Sequence, residues 1–198
     1  MARATDDPIA RFQSLLDEAR LVPRDRLPEP TAFALGTVDE RGWPSVRIVL
    51  LKQVDERGFV FYTNFESRKG REALATKRAA LCFHWQPLEV QVRVEGPIEP
   101  VSDAEADAYF ASRGRGSQIG AWASTQSREM ASPGDLDARV AEMEQRFAGG
   151  TVPRPPHWSG FRIRPERIEF WKNMPSRLHV RHVYTRDGAA WDVRQLYP

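Results

Sequence analysis

The apolar residues change their period repeatedly along the chain, and each change marks an element. Ile9, Phe12, Leu16 and Ala19 recur at helical spacing behind Asp7-Pro8, an N-cap followed by proline at the first helical position. Val22-Pro23 ends that helix, and Pro23 to Pro30 is a proline-punctuated linker. From Thr31 the period becomes that of strands. TAFALGTV, the turn DERG and PSVRIVLLKQV read as a hairpin, and GFVFYT follows a second such turn. Ser67 caps a short helix, SRKGREALATK. AALCFHW and LEVQVRVEG are two more strands; Val90, Val92 and Val94 take one face of the second, and Glu89, Gln91, Arg93 and Glu95 the other.

Ser102 and Glu105 form a capping box for a helix ending near Ser112. RGRGS reads as a glycine loop, followed by a polar segment to Pro133. Leu136, Val140, Met143 and Phe147 form the stripe of a further helix, stopped by Gly149-Gly150. After the linker Pro153 to Pro156, the strands GFRIRPERIEFW, RLHVRHVYTR and AAWDVRQL close the chain, the last two joined at Asp187-Gly188. The expected fold is mainly β with helices, an antiparallel closed or split barrel. Residues 1–30 form a helix and linker ahead of a single domain, 31–198.

Composition narrows the function classes. The chain has 198 residues, 41% of them hydrophobic, which is a globular composition. Its single cysteine, Cys82, excludes a disulfide framework and a cysteine-based zinc site. The four histidines lack metal spacing, so no metal is expected. The longest apolar runs, Ile48 to Leu51 and Ala79 to Phe83, are too short for a bilayer, and the start has no apolar signal region, so a cytoplasmic protein is expected. A net charge of +2 does not suggest nucleic-acid binding. Four lysines against 25 arginines is an unusual ratio, and arginine suits bidentate recognition of phosphate. No P-loop, metalloprotease or nucleophile-elbow motif occurs, which leaves an organic cofactor as the source of any hard chemistry.

Four constellations carry candidate chemistry. Ser67, Arg68 and Lys69 gather a hydroxyl and two cations at a helix N-terminus, a phosphate-sized anion site or a solvated helix start. In RIVLLK, strict alternation puts Arg47 and Lys52 on opposite faces, serving different groups unless both sit at strand ends in water. Tyr109 and Arg113 share a helix face with Ser117 just beyond, a second anion site or an aromatic ring packed by an arginine stem. Arg177, His179 and Arg181 fall on one strand face, toward an anion or toward solvent.

All four occur in one order in one family. Through RIVLLK, VFYTNFESRKG, EVQVRVEG, YFASRGRGSQIGAW, ASTQS, IEFW and RLHVR, the chain resembles the pyridoxamine (pyridoxine) 5′-phosphate oxidases from about Thr31 to Pro198. The resemblance implies a homodimeric FMN-binding split β-barrel with FMN at the subunit interface. It implies cofactor contacts from Arg47, Ile48, Val49, Leu50, Leu51, Lys52, Tyr62, Thr63, Arg68, Lys69, Gln91, Gln126, Ser127, Trp171 and Arg181. Lys52, Tyr109, Arg113 and Ser117 would hold the substrate phosphate, and Arg177, Leu178 and His179 would face its ring, Arg177 and His179 as the catalytic pair. The implied reaction is oxidation of pyridoxamine or pyridoxine 5′-phosphate to pyridoxal 5′-phosphate by hydride transfer from C4′ to flavin N5, with molecular oxygen as acceptor and hydrogen peroxide as product. Alternatives are an FMN oxidase of another small ring, like the phenazine-pathway relatives, and a non-catalytic flavin-binding barrel. Val180 stands where the family usually has Asp, Glu29 also replaces an Asp, and most of the family's N-terminal arm has no counterpart.

Overall fold

Capping and alternation lay out the local structure as the chain's pattern requires. The computed structural model describes residues 7–198. Helix α1 (Pro8–Leu21) starts where the Asp7 carboxylate accepts the Ile9 N–H at 2.9 Å, and stops at Val22, driven extended by Pro23. The strands are β1 (Ala32–Val38), β2 (Pro44–Leu50), β3 (Gln53–Asp55), β4 (Gly58–Asn64), β5 (Arg78–Trp85), β6 (Val90–Pro100), β7 (Trp158–Ile163), β8 (Arg167–Lys172), β9 (Val180–Asp187) and β10 (Ala190–Leu196). Between them lie α2 (Arg68–Thr76), α3 (Asp103–Ala111), α4 (Arg115–Ala123) and α5 (Asp135–Arg146).

All the strand pairs are antiparallel, running β10-β9-β8-β6-β5-β1-β2. Strand β6 is long enough to divide its partners: residues 90–95 pair with β8, and 98–100 with β7, which continues to β4 and β3. The sheet therefore curls around a core, and among the described residues no ladder joins β2 to β4. This is the split barrel that the family resemblance implies. The fully buried rings of Phe12, Phe33, Phe59, Phe61, Phe83 and Phe161 fill it, with Trp85. Phe12 brings α1 into this cluster, 4.8 Å edge-on from Phe59 and 5.0 Å from Phe83. A second apolar cluster of Phe110, Ile119, Ala123, Met143, Val152 and Trp158 seats α3, α4 and α5 beside the barrel.

Two expectations are corrected. RGRGS is not a loop, because residues 115–123 form α4 although Gly114 offers no side-chain cap. Ile119 and Ala123 bury their side chains, and Gln118 donates to the Phe110 carbonyl at 3.0 Å, so packing overrides two unfavourable glycines, Gly116 and Gly120. The strand expected from Arg177 starts only at Val180. Pro175 opens a 3-10 turn in which Ser176 and Arg177 adopt left-handed φ of 56° and 61°. Arg177, His179 and Arg181 therefore do not form one strand face.

Because Phe12 is fully buried, Phe12→Ala will cost about 3–5 kcal/mol of folding stability. Denaturant unfolding measures this, and a loss below about 1 kcal/mol would show that α1 is not docked.

Candidate functional site

A cavity of about 640 Å³ opens where β2, β4 and the helices α3 and α4 meet. Strand β2 ends at Leu50, and the chain turns at Leu51-Lys52 before β3, with the Lys52 N–H bonded to the Val60 carbonyl at 2.8 Å. This corner turns Leu51 into the core while Ile48, Val49, Leu50 and Lys52 line the cavity. Tyr62, Thr63, Lys69, Tyr109, Arg113, Ser117, Gln126 and Trp158 complete most of the wall.

At one end lies the start of α2. Ser67 caps it, accepting the Gly70 N–H at 3.2 Å while donating to the Asn64 carbonyl at 2.7 Å. Its hydroxyl is thus committed to the turn rather than offered to an anion. Gly70 is required there, since a Cβ would lie 2.4 Å from the Phe65 carbonyl oxygen. The Lys69 ammonium reaches Gln126 Oε1 at 2.8 Å and Ser67 Oγ at 3.2 Å. Burial, helped by the charge of Arg47, pulls its pKa down to about 8. Arg47 and Arg68 do not line the cavity wall; both turn to the buried carboxylate of Glu72, at 3.2 Å and 2.8 Å. Arg47 thus faces Glu72, whereas Lys52 lines the cavity.

At the other end the rings of Tyr62, Tyr109 and Trp158 lie nearly parallel, with Tyr62 and Tyr109 stacked at 3.9 Å. The Arg113 guanidinium lies 4.7 Å from the Trp158 ring, and its Nη1 is buried with no hydrogen-bond partner. An unpaired buried donor of this kind is unfavourable unless something arrives to accept from it. Burial lowers the Arg113 pKa from its ordinary value. Ser117 stands in the first turn of α4, its own N–H bonded to the Gly114 carbonyl at 2.9 Å. Lys52, Tyr109, Arg113 and Ser117 thus line the same cavity as Lys69 and Gln126.

The remaining candidates lie elsewhere. Gln91, Trp171 and Arg181 are register partners across β6, β8 and β9 and form one row, and none of them lines the cavity. Arg181 is held by Glu169, a carboxylate 2% exposed that also meets Arg93 and Arg167. Burial opposes ionisation of Glu169, but the hydrogen bond from Arg181 and the surrounding arginine charges hold its pKa below the usual value. The His179 ring packs 4.6 Å from Trp171, and its Nδ1 accepts the Met174 N–H at 3.3 Å. Arg177, left-handed at φ 61°, and Leu178 precede it, Leu178 being 68% exposed. Ser127, beside Gln126, also has a left-handed φ of 68°. Glu29 is tied to Thr31, with Lys52 near enough to help lower its pKa.

Glu72, Glu169 and Trp158 were not singled out in the sequence. Only Glu72 left a signal there, its i,i+4 spacing from Arg68. Among the described residues no cluster of His, Cys, Asp and Glu is arranged to hold a metal, and no helix is long and apolar enough to cross a membrane.

Comparison with known proteins agrees with this geometry. Residues 23–172 match the family model described as pyridoxamine 5′-phosphate oxidase, and residues 158–198 match that of the pyridoxine 5′-phosphate oxidase C-terminal dimerisation region. The pyridoxine/pyridoxamine 5′-phosphate oxidase of Myxococcus xanthus is 60% identical over 192 residues, covering 97% of this chain and 92% of that one. The protein of that name from Anaeromyxobacter dehalogenans is 56% identical, covering 98% and 97%. Among solved structures, PhzG from Burkholderia lata 383 in complex with tetrahydrophenazine-1-carboxylic acid superposes with a TM-score of 0.89 at 34% identity, covering 100% and 98%. An FMN-binding, pyridoxamine 5′-phosphate oxidase-related protein of Nostoc punctiforme shares the fold at a TM-score of 0.74 and 15% identity, over the whole of both chains. With its barrel, its C-terminal strands and nearly its full length matched, the chain belongs to the pyridoxamine 5′-phosphate oxidase family.

Proposed function

We propose that the chain is an FMN-dependent oxidase of pyridoxamine 5′-phosphate and pyridoxine 5′-phosphate, acting as a homodimer whose sites are completed across the interface. The observation that carries this reading is the division of the site. Lys52, Lys69, Tyr109, Arg113, Ser117 and Gln126 line one cavity, while the flavin candidates Trp171 and Arg181 and the ring-facing candidates Arg177 and His179 lie outside it on the same chain. A second copy, joined through the C-terminal region that matches the dimerisation model, would bring those residues to the cavity.

The residues present fit a flavin phosphate and a substrate phosphate. Lys69, with Arg47 and Arg68 nearby and Gln126, Ser127, Tyr62 and Thr63 beside it, would hold the cofactor. Backbone and side chains of 48–52 would line it, and Gln91, Trp171 and Arg181 would meet it from the other subunit. FMN, when bound, supplies the two-electron acceptor for the C4′–H bond of the substrate. Lys52, Tyr109, Arg113 and Ser117 would grip the substrate phosphate, Arg113 through the Nη1 that now lacks a partner. Each charge-assisted hydrogen bond contributes about 1.5–3 kcal/mol, so three or four suffice for micromolar retention, about 8 kcal/mol. Holding the substrate by its phosphate fixes its ring against the flavin. His179 accepts the Met174 N–H at Nδ1, which puts its own proton on Nε2, where it can donate to the substrate. Arg177 would supply fixed charge over the ring. A tricyclic acid lacking phosphate would give the Lys52–Tyr109–Arg113–Ser117 group a single carboxylate at most, which favours the vitamin B6 substrate.

The purified protein will be yellow and release peroxide with pyridoxine 5′-phosphate; a colourless protein indifferent to added FMN would end the flavin reading. Arg177→Ala will cut kcat/KM by about 100-fold or more with flavin still bound, and Arg113→Ala will raise KM for the phosphorylated substrate by about tenfold or more. Steady-state peroxide assays measure both, and unchanged kinetics would place the substrate elsewhere.

Lys69 also sets a pH dependence. With its pKa near 8 in the free protein, Lys69 feels the charge of Arg47 and donates to the uncharged Gln126. A phosphate dianion raises that pKa, so binding favours protonated Lys69. FMN affinity should therefore hold to about pH 8 and then fall by up to about tenfold per pH unit. Fluorescence titration from pH 7 to 10 checks this, and Lys69→Met should weaken binding and flatten the profile.

A further inference from the structure

Glu72 is an anion where a phosphate is expected. It is a carboxylate only 6% exposed, one helical turn after Arg68 on α2, and it faces the β1–β2 hairpin. One oxygen, Oε2, accepts from Thr37 Oγ1 at 2.5 Å, Ser45 Oγ at 2.6 Å and Arg47 Nη2 at 3.2 Å; the other, Oε1, accepts Arg68 Nε at 2.8 Å. Thr37 and Ser45 are direct cross-strand partners, so the hairpin register itself builds the donor pair. Burial works against ionisation, yet the bonds from Ser45, Thr37 and Arg68 and the charge of Arg47 hold the carboxyl pKa down to about 2. Glu72 is therefore charged at every working pH.

Its partners are arginines with different freedom. Arg47 is 21% exposed and also donates to the Leu35 carbonyl, Thr37 and the Ser45 hydroxyl, so its guanidinium has a single placement. Arg68 is 60% exposed and meets Glu72 through Nε. A solvent-facing arginine loses rotamer entropy on binding an anion, and a buried carboxylate that has already fixed its stem removes part of that loss. Arg47, Arg68 and Lys69 carry three positive charges, and Glu72 one negative. The cluster is left with a net of +2, equal and opposite to a phosphate dianion.

We propose that Glu72 is a positioning residue of the cofactor-phosphate site, which holds Arg47 and Arg68 in the arrangement that takes the phosphate. This rests on the FMN reading above and adds to it a residue that makes no contact with the cofactor itself. Glu72 acts through its arginines, so it discriminates between flavins with and without a phosphate. A carboxylate that served only to hold α2 against the hairpin would affect both alike.

The test measures dissociation constants of FMN and of riboflavin by flavin fluorescence, for the full-length wild-type protein, Glu72→Gln and Ser45→Ala. Glu72→Gln keeps the shape and one acceptor oxygen but removes the charge. It should weaken FMN binding by about tenfold or more, the loss of one charge-assisted hydrogen bond, and leave riboflavin within about twofold. Ser45→Ala removes one bond to Glu72 and one to Arg47, and should shift FMN alone in the same direction by about threefold. It carries the test if Glu72→Gln does not fold. Equal losses for the two flavins would assign Glu72 to the scaffold and overturn the proposal, as would unchanged or tighter FMN binding in the variants. A wild-type protein that binds neither flavin would overturn the FMN reading itself, and this inference with it.

Discussion

A charge taken out of water must be met by an opposite charge and by hydrogen bonds that use its remaining valences. Among the described residues three such charges are buried, and much of the shape follows from how each is met. Glu72 ties α2 to the β1–β2 hairpin through Arg47, Thr37 and Ser45. Glu169 collects Arg93, Arg167 and Arg181 across β6, β8 and β9. Arg162, on β7, bridges Asp55 at the β3–β4 turn and Glu105 in the first turn of α3. Each node joins elements that the apolar core alone would leave free to slide. Removing their partners would leave Glu72, Glu169 or Arg162 buried without counter-charge, a greater loss than a surface ion pair gives.

The abundance of arginine takes on a different meaning in this light. Some of the 25 arginines face candidate ligands, but others are spent inside the protein, aligning strands. Arg47 and Arg181 are proposed to do both. Each is fastened to a buried carboxylate, and each stands among the residues proposed for the flavin. A guanidinium suits this double use because its planar fork presents five donors, so one edge can be anchored while another is offered.

What the sequence made legible was whatever is decided locally. Asp7 caps α1, Ser102 and Glu105 close a capping box, and the valines of β6 alternate into the core as written. Asp187-Gly188 turns the last hairpin, with Gly188 at φ 59°. Tertiary contacts decided the rest. Helix α4 has poor propensity and no side-chain cap, and it exists because Ile119 and Ala123 have somewhere to pack. The alternation of RLHVR promised a strand that Pro175 and two left-handed residues interrupt. Of the candidate site, the anion-seeking side chains were visible as residue types at their spacings, and the resemblance joined them. That Ser67 spends its hydroxyl on its own turn, and that Trp158 backs Arg113, depends on distances no spacing encodes.

The separation of the cavity from the Gln91–Trp171–Arg181 row carries a genetic consequence. In a dimer whose sites combine one half from each subunit, a chain defective in Arg113 and a chain defective in Arg177 are not equivalent failures. When they pair, one of the two sites inherits both lesions and the other inherits neither. In the proposed shared-site dimer, two inactive alleles of this sequence would restore activity in the same cell, with the ceiling on that rescue set by how often unlike chains meet.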